Sequence, residues 1–151
     1  GQTASSAEIL AAALADRGRA VVVGSATYGK GLVQTVTTLP DGGELFVTWS
    51  RVLAPSGWPI DGLGVLPQVC TSEGNEELQT ELHMLKAGQR PLQTPLAHQR
   101  EVRPGTPAVN LIGIRDACPA AAGGDADLLA ARYLLDNTDA YATALLEPAA
   151  Q

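Results

Sequence analysis

Lysine is scarce in this 151-residue chain: only Lys30 and Lys86 are present, and arginine supplies the other basic positions. The net charge is −6, so the chain lacks the basic surface that nucleic-acid binding needs, and no nucleic-acid partner is expected. No apolar run approaches the roughly 18 residues of a membrane span. No signal-peptide pattern opens the chain. Its first residues already stand at the mouth of a motif, so that lack carries no information on export. His83 and His98 are the only histidines, and neither joins a Cys/His cluster with metal-ligand spacing. Both are read as surface or packing residues, and no metal or cofactor is expected. Cys70 and Cys118 are the only cysteines. A single pair leaves two readings open, a disulfide or two separate buried thiols. There is no internal repeat. What is present is a 45% apolar composition, enough for a core in a chain of ordinary domain length.

The pattern along the chain reads as follows. Residues 5–17 predict a helix, capped by Ser5 or Ser6, with Glu8 in its first turn and Gly18 at its end. Its apolar pairs are Ile9/Ala13 and Leu10/Leu14. Residues 19–23 form a short apolar run that fits a strand buried on both faces, as in a parallel sheet. A glycine-rich loop covers 24–31. Residues 32–39 and 44–53 predict two strands joined by a hairpin at Asp41-Gly42-Gly43, and Pro55-Ser56-Gly57 makes a turn. Residues 58–69 read as loop with an apolar tip at Val65-Leu66-Pro67. Past Cys70 the pattern predicts a helix over 75–87, a surface linker over 88–108 with four prolines, and a last strand over 109–114. A small-residue loop over 120–124 leads to one long helix over 125–147, N-capped by Asp125 and carrying Leu128, Ala131 and Leu135 on one stripe.

Two features carry chemistry: a serine at a helix N-terminus and a lysine between glycines. A serine there is ordinarily a cap. The same position also offers unpaired backbone N–H groups and partial positive charge, which can hold an oxyanion formed when serine attacks a carbonyl. A serine hydroxyl needs a base, and without a suitable histidine a neutral lysine amine can serve. Such a lysine must fall from a reference pKa near 10.4 to about 7–8. Burial is the expected cause around Lys30, where Tyr28, Leu32 and Val33 are neighbours and no acid occurs between Asp16 and Asp41. Gly29 and Gly31 allow close approach to another segment. The competing readings are a solvated surface lysine and a phosphate-binding loop, Gly24-Ser25-Ala26-Thr27-Tyr28-Gly29-Lys30. The loop fits in spacing but fails at Gly31, where Ser or Thr is required.

The stretch TASSAEILAAALADRGRAVVVGSATYGKGLVQ resembles the core signature of the C-terminal processing (tail-specific) serine peptidase family. In that family a Ser/Ala-rich segment, a helix, an RAVVVG-like strand and T-[FY]-G-K-G-x-[VI]-Q follow in order. The DGG hairpin, Arg51, Pro55-Ser56-Gly57, Ile60 and Gly64-Val65-Leu66-Pro67 continue the match to about residue 69. The resemblance implies an α/β fold with a partial ClpP/crotonase-like core over 1–69, followed by a mostly helical C-terminal extension over 70–151 with a linker and a long C-terminal helix. It implies Ser5 as nucleophile, 25 positions before Lys30 as general base, and Gln34 as the residue that orients the lysine. The Ser6 backbone N–H would be one oxyanion donor. Ser6 stands where the family usually has alanine, which makes it the rival nucleophile. Gln68 stands where the family commonly has Asp.

The same resemblance implies hydrolysis of protein or peptide substrates, a periplasmic or otherwise exported location, and a PDZ domain and core strands upstream; without strands flanking Val21–Val23 the sheet edges are unpaired, so a homo-oligomer is expected. A Cys70–Cys118 bond would then be allowed by an oxidising compartment. On this reading the chain is the distal portion of the enzyme and inactive alone. The alternatives are a non-catalytic scaffold or peptide-binding module of the same fold, and a crotonase-like acyl-CoA enzyme, which has no need of the Ser–Lys pair.

Overall fold

A computed structural model describes residues 1–148. In chain order the elements are α1 (Ser6–Asp16), β1 (Val23–Gly24), β2 (Leu32–Thr38), β3 (Glu44–Arg51), β4 (Val69–Cys70), α2 (Asn75–Lys86), α3 (Gln93–Glu101), α4 (Ala108–Arg115), α5 (Asp125–Asp136) and α6 (Thr138–Ala144). The architecture is mixed: helices with two small sheets. β1 pairs parallel with β4, and β2 pairs antiparallel with β3.

Helix α1 forms where the sequence predicts it, but it buries a different face. Ile9, Leu10 and Leu14 are exposed, whereas Glu8, Ala12, Ala15 and Asp16 are buried. These four follow the i, i+4, i+7, i+8 spacing of one helix face. The buried stripe is alanine in the middle with an acid at each end. Asp16 accepts hydrogen bonds from Ser56 N at 3.0 Å, Ser56 Oγ at 2.5 Å and Trp58 Nε1 at 3.1 Å. It also pairs with Arg100 Nε at 3.3 Å. Full partnering is what makes a buried carboxylate tolerable.

The apolar run 19–23 is not a strand buried on both faces. Only Val23–Gly24 join β4, and Val21–Val23 are half-buried. The Gln68 side chain interrupts the ladder: its Oε1 accepts from Val22 N at 2.6 Å, while Gln68 N donates to Val22 O at 2.9 Å. The hairpin forms as expected. It stands away from the body, exposed throughout residues 34–49. Its register skips Trp49, which opposes nothing between the Gln34↔Thr48 and Val33↔Ser50 pairs, so Trp49 is a bulge residue.

Beyond Cys70 three expectations are corrected. The linker over 88–108 contains helix α3. Pro95 is the third residue of that helix, where the missing N–H would have had no intrahelical partner. The strand over 109–114 is helix α4, opened by Pro107 and burying Leu111. The long helix over 125–147 is two helices, α5 and α6, broken at Asn137 with φ −127° and ψ 86°. Asn137 Nδ2 instead donates to Tyr133 O at 2.8 Å. Gly124, not Asp125, is the N-cap. Ala130 and Leu134 face inward, while Leu128 and Leu135 are exposed.

Three apolar clusters fill the interior, and each draws on residues from both sides of position 70. Trp58, Ile60 and Val65 pack with Val102 and Leu111. Val69, Val21 and Val23 pack with α2, α5 and α6. Ala26 and Leu66 pack with Leu96 and the two cysteines. The expected loop 58–69 therefore supplies much of the core, with Ile60, Leu63, Val65, Leu66 and Val69 at 2% exposure or less.

Candidate active site

Ser5 immediately precedes α1 and has φ 56° and ψ −122°. Among the described residues it is the only non-glycine with positive φ. That conformation costs roughly 1–3 kcal/mol for an L-residue and persists only where the surroundings impose it. The imposing group is Glu8, fully buried. Its carboxylate is acceptor-only, with room for about four hydrogen bonds, and four donors fill it. Oε2 takes Ser5 N and Lys30 N, both at 2.9 Å; Oε1 takes Gly29 N at 2.6 Å and the Thr27 hydroxyl. Tyr28 N donates to Thr3 O at 2.9 Å, a second tie between the serine segment and the lysine loop. Thr27 Oγ1 also accepts from Val65 N at 2.8 Å. One carboxylate thus fixes the backbone of Ser5 against the backbone of Lys30, although they lie 25 positions apart.

The glycines beside Lys30 are required by contact. A Cβ on Gly31 would lie 2.4 Å from Asp61 N, and Gly29 has φ +89° with Gly62 packed against it. Gly29 O accepts from Gly62 N at 3.0 Å and Gly31 O from Val52 N at 2.7 Å. The loop is thereby clamped onto segment 60–64.

The side chains are less assembled than the backbone. Ser5, Ser6, Lys30 and Gln34 are all exposed. The burial expected for Lys30 is absent: Glu8 holds its backbone while the amine stands in solvent. Gln34 Nε2 donates across the hairpin to Thr48 Oγ1 at 2.9 Å. No hydrogen bond joins the side chains of Ser5, Lys30 and Gln34 among the described residues. Ser6 is the first residue of α1, so its N–H belongs to the first-turn amides that intrahelical bonding leaves free.

Peptidase family S41 is matched over residues 1–71. Over that span the chain is similar to peptidase family S41. A carboxyl-terminal-processing peptidase 3, chloroplastic, of Arabidopsis thaliana is 48% identical over 81 residues, which are 53% of this chain and 16% of that protein. A carboxyl-terminal-processing protease of Picosynechococcus sp. is 49% identical over 65 residues, 43% of this chain and 16% of its own length. One of Synechocystis sp. is 37% identical over 97 residues, 57% and 23% respectively. The chain therefore spans less than a quarter of the relatives it matches here. The S41 segment holds Ser5, Glu8, Lys30 and Gln34.

Glu8 and Thr27 were not singled out as site residues in the sequence. The Ser5-x-x-Glu8 spacing of a capping box was the available signal. Away from these residues, Cys70 and Cys118 form a disulfide with Cα atoms 5.7 Å apart. Cys118 O accepts from Ala26 N at 3.1 Å, which braces the strand exit leading to Thr27. Glu81 on α2 accepts from Cys70 N at 3.2 Å. Burial pushes its carboxyl up to about 7, opposed by the Cys70 hydrogen bond and helped by Glu73. Among the described residues no group of three or more His, Cys, Asp or Glu is placed to hold a metal ion.

Proposed function

We propose that this chain carries the nucleophile and base of a serine endopeptidase of the C-terminal processing type, acting by a Ser–Lys mechanism. The observation that supports it most is the strained backbone of Ser5 at the head of α1, tied through Glu8 to the backbone of Lys30. A helix cap needs neither a positive φ nor a link to a distant lysine. Ser5 Oγ attacks the substrate carbonyl while Lys30 Nζ takes its proton. The Ser6 N–H stabilises the oxyanion. Lys30 then gives the proton to the leaving amine, and water releases the acyl group by the reverse route. Gln34 orients Lys30 once its amide leaves Thr48.

The Lys30 side chain stands exposed, whereas a lysine general base works from surroundings that exclude water. The mechanism therefore calls for further groups over Lys30, of the kind the family resemblance supplies upstream: core strands completing a ClpP/crotonase-like fold and a PDZ domain for protein substrates. An exported location and a homo-oligomer belong to the same reading.

A fluorophosphonate probe, applied to this chain and to a longer polypeptide containing it, tests the proposal. The longer form should label at Ser5 and cleave peptide. Both activities should vanish in Ser5→Ala, Lys30→Ala and Lys30→Arg, since arginine stays protonated. This chain alone should do neither. Cleavage that survives Lys30→Ala rules out the mechanism, and loss in Ser6→Ala but not Ser5→Ala moves the nucleophile.

A further inference from the structure

A cavity of about 200 Å³ lies between α2, α3 and the end of α6, with no wall contributed by Ser5, Lys30 or Gln34. Leu85, Leu96 and Leu146 give it apolar sides, while Gln68, Arg90 and Arg100 give it donors. Their state is unusual. Gln68 is only 4% exposed. Its Oε1 is taken by Val22 N, yet its Nε2, which offers two hydrogens, donates to no group among the described residues. Arg90 spends Nε on Thr143 O at 2.8 Å, and its two terminal nitrogens have no described acceptor. Arg100 is committed to Asp16 and to Glu147 O through Nε and Nη2, which leaves Nη1. Glu147 is the acid in the lining; its side chain is exposed. Arg90 is exposed as well, so the lining carries one exposed cation and one exposed acid, with the Gln68 amide beside them.

Donors that face the cavity beside alkyl walls, with no protein acceptor, select an acceptor joined to an apolar group. A guanidinium fork matches a carboxylate in shape as well as charge. Volume limits the rest: pockets for drug-sized ligands run about 300–1,000 Å³, so 200 Å³ admits something near one amino-acid residue. We propose that this cavity binds a carboxylate bearing a short branched alkyl group, the chemistry shared by a free apolar acid and the C-terminal residue of a peptide. The site is independent of the peptidase reading and stands whether or not Ser5 is a nucleophile.

Titration of the intact chain with N-acetyl-leucine and with N-acetyl-leucinamide, followed by amide chemical shifts, tests it. The two probes share a shape and differ in the carboxylate. The acid should bind at least about tenfold more tightly than the amide, with shifts centred on Gln68, Leu96 and Leu146. Arg90→Gln should weaken the acid by about tenfold and leave the amide unaffected, while Arg132→Gln, on α5, should change neither. Far-UV circular dichroism establishes that the variants fold. Acetyl-Ala-Ala-Leu separates the two sources: binding as tight as the single residue or tighter identifies a peptide terminus, and exclusion of the tripeptide identifies a free acid. Equal binding of acid and amide, no binding of either, or wild-type affinity in folded Arg90→Gln would overturn the proposal.

Discussion

Glu8 shows how a single residue can carry the geometry of a site without reacting. Its position in a helix first turn was legible in the sequence, and so were Ser5, Lys30 and the two glycines. That its carboxylate would collect four donors from two distant segments was not, because helical spacing says which residues share a face and not what meets that face. Glu8→Gln keeps the shape but turns one acceptor into a donor that faces other donors. It should lower stability by roughly 2 kcal/mol, read as a drop in thermal midpoint, and should release Ser5 from positive φ. Glu81 sits at the opposite extreme, a carboxyl perturbed by burial. Its folded pKa of about 7 lies above its ordinary 4.5, so the folded state binds the proton more tightly. That contribution is full below about pH 4.5 and is lost as the pH rises through 7. For a half-exposed group this amounts to about 1 kcal/mol. The thermal midpoint of the wild type should therefore fall between pH 5 and 8 by a few degrees more than that of Glu81→Gln. Equal slopes would remove Glu81 as the cause.

At the scale of elements, α1 and the hairpin follow the sequence because their signals are local: a capping serine, a run of alanine and leucine, an Asp-Gly-Gly turn. The elements after Cys70 follow less well because tertiary packing decides them. The β-branched residues of 109–114 suggested a strand, yet Leu111 and Ile114, with Arg115 bonded to Leu63 O, seat a helix against the 60–65 segment. The prolines of 88–108 suggested a linker, yet Pro95 falls within a first turn. Asp16 joins three such elements: the end of α1, the Pro55-Ser56-Gly57 turn and, through Arg100, α3. Asp16→Ala leaves Arg100 Nε and the Trp58 indole N–H without their carboxylate acceptor. It should cost about 3–5 kcal/mol, seen as a fall of roughly 10 °C in the thermal midpoint. A change under about 1 kcal/mol would show that these elements hold without it.

For the whole molecule, the family boundary near residue 71 is not a boundary in the interior, since all three apolar clusters cross it. The disulfide joins the same two segments over a sequence separation of 48. In the chain-entropy account a loop of that length contributes roughly 4 kcal/mol. Cys118→Ser should therefore unfold at a denaturant midpoint well below the wild type, and the difference should disappear when both are measured under reducing conditions.

The hairpin and the core each hold one of the chain's two tryptophans, in opposite surroundings: Trp49 is 68% exposed on the bulge, and Trp58 is 2% exposed with its indole bonded to Asp16. Intrinsic fluorescence therefore divides by location. Iodide should quench the red-shifted emission of Trp49 in the native protein and leave the blue emission of Trp58 until the core opens. Whatever covers the hairpin will protect the first signal without touching the second, so occupancy of the arm and unfolding of the body can be followed in one cuvette with no added label.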